Sequence, residues 1–255
     1  MRETYTALGA GDAPAIVFVH GTRLSRGMWQ PQMAALSGAF RVVALDLPGH
    51  GALRDRPFRW DDAVAEVVRV IDEAAGGRAV LVGLSLGGYV AMDVAVRHPE
   101  RVAGLAISGA SADPRGLLGP PIRALAAVMD RTPARILEGA NRFWFRHRYP
   151  ARTASAILAG GFAFGAGAAA LRQLRGRRFA AALAAYPGPI LVLNGQLDPP
   201  FLLGQRRFGR ALPDVRFAVL RGATHLANLD RPSAFSAAVA RFTASVVAAS
   251  DRAAG

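Results

Sequence analysis

Ser85 sits in Gly83-Leu84-Ser85-Leu86-Gly87, with Gly88 behind it, where the apolar run 78–82 gives way to residues at helical spacing. A serine held at a strand-to-helix turn between near side-chain-free neighbours is the G-x-S-x-G nucleophile elbow, and its chemistry is hydroxyl attack on an acyl carbonyl. Such a turn keeps the serine strained and exposed. The helix that follows also presents unpaired N–H groups and a positive dipole end to an oxyanion forming beside it. A serine needs a base and an acid to act this way. Asp198 follows the apolar run 189–193 through residues 194–197, and His225 follows the run 215–220 through residues 221–224. The chain thus carries nucleophile, acid and histidine in the order of the elbow enzymes, each on a loop after a strand.

The elements that must position these loops have a clear rhythm. Short apolar runs at 15–19, 41–45, 79–82, 102–107, 190–193 and 215–220, separated by helical stretches, predict a mainly parallel sheet flanked by helices. Parallel strands place all three loops on one edge of the sheet, where open α/β folds build their sites. Residues Ala63, Val64, Val67, Val68 and Ile71 recur at helical spacing within 60–73, which predicts a helix covering one sheet face, stopped by Gly76-Gly77. An N-terminal hairpin is also expected.

Four motifs are similar to those of the α/β-hydrolase superfamily: Val19-His20-Gly21-Thr22, residues 46–51 (Asp-Leu-Pro-Gly-His-Gly), residues 83–88, and Gly222-Ala223-Thr224-His225. His20 through Ser25 followed by Trp29 resembles the small cofactor-free bacterial esterases, enol-lactone hydrolases and haloperoxidase-like serine hydrolases. The resemblance implies a catalytic core of residues 1–112 and 188–255 with a helical lid over 113–187. It also implies roles: Ser85 attacks, His225 takes and returns the proton, Asp198 holds the imidazole, and the backbone N–H groups of Thr22 and Leu86 form the oxyanion hole. Asp113, on the loop after residues 102–108, is the rival for the acid, because some members of the superfamily place it there. No cofactor is implied.

The remaining histidines have structural expectations. His20 organises the oxyanion loop, His50 builds a turn, His98 ends a helix, and His147 lies on a basic face. In the lid, Phe143, Trp144, Phe162 and Phe164 are candidates for the pocket wall, as is Ser25 in the oxyanion loop.

Composition narrows the chemistry. The 255 residues contain no cysteine, and all 31 basic residues counted as Lys or Arg are arginine, so thiolate, Schiff-base and Walker-lysine mechanisms are absent. An apolar content of 52% supports a large core. The start lacks a signal-peptide core and no membrane span stands out, so a cytoplasmic protein is expected. The formal charge is +13, and residues 115–185 hold twelve arginines against two acids, Asp130 and Glu138. A positive lid suits an anionic or carrier-bound small-molecule substrate, and no nucleic-acid module is present. The expected activity is hydrolysis of a small ester, lactone or thioester. A non-hydrolytic enzyme of the same fold and a ligand-binding protein with little turnover are the alternatives.

Overall fold

Runs of Val, Ile, Leu and Ala too short for helices become the strands of one sheet in the computed structural model, which describes residues 3–210, 212 and 215–254. The strands are β1 (Tyr5–Leu8), β2 (Ala15–Val19), β3 (Arg41–Leu45), β4 (Ala79–Leu84), β5 (Val102–Ser108), β6 (Ile190–Gly195) and β7 (Val215–Leu220). Their order is β1-β3-β2-β4-β5-β6-β7. Strands β2 to β7 run parallel, and β1 alone is antiparallel. The expected N-terminal hairpin does not form: β1 pairs with β3, because both edges of β2 are already taken by β3 and β4.

The helices in chain order are α1 (Gln30–Leu36), α2 (Trp60–Ala74), α3 (Leu86–Arg97), α4 (Gly119–Arg131), α5 (Ala134–Arg148), α6 (Ala151–Gly160), α7 (Phe164–Leu174), α8 (Phe179–Leu183), α9 (Pro199–Arg210), α10 (Ala227–Asp230) and α11 (Pro232–Ala254). This is the α/β-hydrolase fold, and α4 to α8 make up its helical insertion.

Alternation along each strand divides the core in two. Val17, Val19, Val43, Leu45 and Leu81 face one way and pack with α2 and α3. Ile16, Phe18, Val42, Ala44 and Val80 face the other and pack with α1 and α11. Side chains of period two allow a strand buried on both faces to serve both layers. The buried stripe of α2 includes Ala63, Val64, Val67 and Ile71 as expected, with Val70 completing it and Val68 half-buried. Helix α11 has the length and composition of a membrane span. Its Phe235, Val239, Phe242 and Val246 are nevertheless buried against the sheet.

One carboxylate ties together the loops that follow β2 and β3. Asp46, just beyond β3, is buried and accepts N–H bonds from Arg26 at 2.7 Å and Ala52 at 2.8 Å, while pairing with the Arg26 guanidinium. Replacing it strands two donors and a cation. Because Arg26 keeps partial access to water, Asp46→Ala should cost about 2–4 kcal/mol of unfolding free energy, measurable by urea denaturation.

Candidate active site

The elbow works by contact between backbones. A Cβ on Gly83 would stand 2.3 Å from the Gly87 carbonyl oxygen, and one on Gly87 would stand 2.2 Å from that of Val19. With those positions bare, α3 leaves β4 at once and Ser85 takes φ +55, ψ −118, which L-residues rarely adopt. Its own N–H donates to Ser108 O at 2.8 Å, which locks the turn to β5. The loop after β2 passes directly over it: a Cβ on Gly21 would lie 3.6 Å from Ser85 Cβ. Thr22 and Leu86, the two residues whose N–H groups were assigned to the oxyanion, therefore flank the serine from the loop and from the first residue of α3.

His225 and Asp198 meet. The imidazole Nδ1 lies 2.8 Å from Asp198 Oδ2. An ionised carboxylate can only accept, so Nδ1 carries the proton and Nε2 keeps its lone pair. The ring stands over Gly109, the residue after Ser108, where a Cβ would come 2.7 Å from Cε1. Phe201, early in α9, covers another side of the ring at 5.3 Å between centroids. Asp198 is buried while the imidazole is partly open to solvent. Hydrogen bonds from Gln196 N to Leu220 O (2.9 Å), Leu197 N to Ala223 O (2.8 Å) and Gly222 N to Gln196 Oε1 (3.0 Å) stitch the acid loop to the histidine loop.

Asp113 is engaged elsewhere. Its Oδ1 accepts the N–H of Ala180 at 3.1 Å, near the start of α8, and Oδ2 lies 3.8 Å from Arg115 Nε. A carboxylate capping a lid helix is held away from the histidine. It also lines a cleft of about 860 Å³ between the start of α4 and α9.

Among the pocket candidates, Phe162 and Phe164 stack at 5.9 Å, and Phe145 stacks on Phe162 at 5.7 Å, within the packing of the insertion. Phe143 does not join them, and Trp144 meets the stack only at its edge. Phe143 is 66% exposed beside His147, and Trp144 is 42% exposed, edge-on to Phe145 and Tyr149. Ser25 is buried beneath Gly160 of α6.

Sequence reasoning missed Asp230. This buried carboxylate, five residues beyond the histidine, accepts Thr224 N at 2.8 Å and Thr224 Oγ1 at 2.5 Å. It also accepts Arg148 Nη2 at 2.8 Å and Tyr149 OH at 3.0 Å from the end of α5. An acid so soon after a histidine is a local signal, but its lid partners, about eighty residues earlier, leave none.

His20 is fully buried with both ring nitrogens engaged. Nδ1 donates to Gly21 O at 2.9 Å, and Nε2 accepts Leu47 N at 3.0 Å. That fixes the carbonyl of Gly21 and hence the loop above Ser85. His50, 4.9 Å away between ring centroids, donates Nδ1–H to Pro48 O.

With this geometry in place, the family follows. The Alpha/beta hydrolase family model matches residues 16–238, and the chain belongs to that family. Among its relatives, it is 30% identical over 258 residues to a protein named putative carbamate hydrolase RutD of Variovorax paradoxus, covering 96% of this chain and 97% of that one. It is 39% identical to a pimeloyl-[acyl-carrier protein] methyl ester esterase of Nitrosomonas europaea, but over 97 residues only, 38% of this chain and 37% of that protein. A solved enol-lactonase from Burkholderia xenovorans superposes with a TM-score of 0.79 at 25% identity, covering 93% of this chain and 95% of its own. Esterase and lactonase chemistry is therefore supported at the level of the family.

Burial pushes His20 down to about 4 and His50 down to about 3, because a charged imidazole there would lose its hydration. Both bind protons more readily in the unfolded chain, so their contribution to stability is complete above the ordinary value of 6.5 and is lost as pH falls toward those lower values. Thermal denaturation at stepped pH should give a Tm that falls steadily below pH about 6.5. His50→Gln should make that decline shallower, and an unchanged slope would exonerate His50.

Proposed function

We propose that the protein is a serine hydrolase of small esters, lactones or thioesters, acting through an acyl-Ser85 intermediate. The observation that carries this reading is the 2.8 Å contact between His225 Nδ1 and Asp198 Oδ2 at the carboxyl edge of the sheet, the edge on which Ser85 is held at φ +55. Ser85 Oγ attacks the acyl carbonyl carbon as its proton passes to His225 Nε2. Electrons displaced onto the carbonyl oxygen are met by the N–H groups of Thr22 and Leu86. The bond to the leaving alkoxide or thiolate then breaks, and the leaving group takes the proton from Nε2. Water repeats the sequence on the acyl-serine, giving up its proton to His225 and releasing the acid. Asp198 stays ionised throughout, holding the tautomer and stabilising the imidazolium.

The relatives named for lactonase and esterase activity support the same bond type. No step needs a metal, and among the described residues no cluster of three or more His, Asp or Glu side chains is arranged to hold one.

A fluorophosphonate followed by intact mass should place one adduct on Ser85, and Ser85→Ala should lower turnover by about 10⁶ without unfolding the protein. A well-folded Ser85→Ala enzyme with near-normal turnover rules out the nucleophile. Asp198→Asn should cost about 10⁴ in kcat, far more than Asp113→Asn, and the opposite ranking moves the acid to the earlier loop.

A further inference from the structure

Arg23 follows Thr22 in the loop that crosses the elbow, and it is the other non-glycine residue, besides Ser85, whose φ is positive among the described residues, at +58. Backbone there is disfavoured and persists only where surroundings hold it. The insertion does the holding. Ala163 N donates to Arg23 O at 3.0 Å, between the rings of Phe162 and Phe164, and a Cβ on Gly167 would lie 3.4 Å from Arg23 N.

The side chain is half-buried and extends to α5, where Nε donates to Asn141 Oδ1 at 3.1 Å. Asn141 is itself fixed, because its Nδ2 donates to Leu137 O at 2.7 Å. Among the described residues no carboxylate lies within ion-pair distance, and the terminal nitrogens Nη1 and Nη2 have no protein partner. Burial alone draws its pKa below the ordinary arginine value, with no anion acting against it. Two further polar groups on the same loop, Thr22 Oγ1 and Ser25 Oγ, are buried without partners. Arg26 and Arg148, which also reach inward from loop or helix end, each meet a buried carboxylate, whereas Arg23, partly desolvated next to the proposed oxyanion loop, meets only an amide oxygen.

We propose that Arg23 is a subsite for a carboxylate carried on the acyl part of the substrate, which makes the preferred substrates monoesters or lactones derived from short dicarboxylic acids. The proposal rests on the serine-hydrolase reading of Ser85. A guanidinium fork matches a planar carboxylate with paired N–H donors. One cation balances one negative charge, which favours a carboxylate over a doubly charged phosphate ester. Attachment one residue after Thr22 limits, by the length of one arginine side chain, how far the guanidinium stands from the carbonyl that Thr22 would hold, which suits a short acyl chain.

The test compares 4-nitrophenyl hydrogen glutarate with 4-nitrophenyl pentanoate, acyl chains of equal length that differ in the terminal carboxylate. The wild type should favour the acidic ester in kcat/KM. Arg23→Gln should lower the ratio of acidic to neutral kcat/KM by about 10- to 100-fold, the range of a charge-assisted hydrogen bond. Arg23→Lys, which keeps the charge without the fork, should retain part of it. Asn141→Asp leaves Arg23 in place but gives it a carboxylate partner, and should also lower the ratio. A ratio that neither Arg23→Gln nor Asn141→Asp changes overturns the subsite while leaving the hydrolase intact. If the wild type cleaves neither ester and Ser85 takes no fluorophosphonate, the hydrolase reading has failed instead. The subsite then stands or falls on whether glutarate, and not pentanoate, raises the Tm of the wild type but not of Arg23→Gln.

Discussion

Residues 83 and 87 carry no side chains, and the site is assembled around that absence. The spaces their Cβ atoms would need are filled by the carbonyls of Gly87 and Val19, so β2, β4 and the start of α3 touch backbone to backbone. Such contact cannot be relieved by a rotamer change, unlike a crowded side chain. It forces the serine into its strained conformation and brings the loop of Gly21 and Thr22 down over it. Parallel neighbours do the rest: β5 supplies Ser108 to hold the serine's N–H and Gly109 to seat the imidazole.

The acid and the histidine depend on a different device. Their loops emerge from adjacent parallel strands, β6 and β7, and are fastened to one another by backbone and glutamine hydrogen bonds before the two side chains meet. The 2.8 Å contact is thus pre-organised by main chain rather than by the pair's own attraction. Asp230 fastens the same loop on its far side. The neutral, fully buried His20 supports the other wall, where a charged imidazole would be costly.

Much of this was legible in the residues because local chemistry dictated it. Gly83 and Gly87 around Ser85 announced the elbow, strand-length runs of β-branched and aliphatic residues announced the parallel sheet, and residues 194–197 placed Asp198 one short loop beyond its strand. What stayed hidden depended on partners distant in the chain. That Asp198 rather than Asp113 meets His225 could not be read locally, because the partner Asp113 takes instead, the N–H of Ala180, lies far along the chain. That β1 joins β3 rather than β2 depends on which edges the later strands occupy. Phe143 and Phe162 look alike as lid aromatics, and only the way α5 lies on the core separates an exposed ring from a packed one. Asp230 and Arg23 read as ordinary charged loop residues until the insertion supplies Arg148, Tyr149 and Asn141.

Asp230 joins two parts of the molecule that have separate work. One oxygen accepts from the end of α5, and the other accepts from the residue immediately before the histidine. Lifting that end of α5 therefore breaks charge-assisted bonds on a carboxylate that Thr224 alone must then share with water. By reciprocity, a seated α5 steadies the histidine loop by the same coupling free energy that the loop lends to α5. The insertion and the histidine loop are thermodynamically linked through one side chain, so the rigidity of that loop is set in part about eighty residues away, at the end of a helix it never touches in sequence.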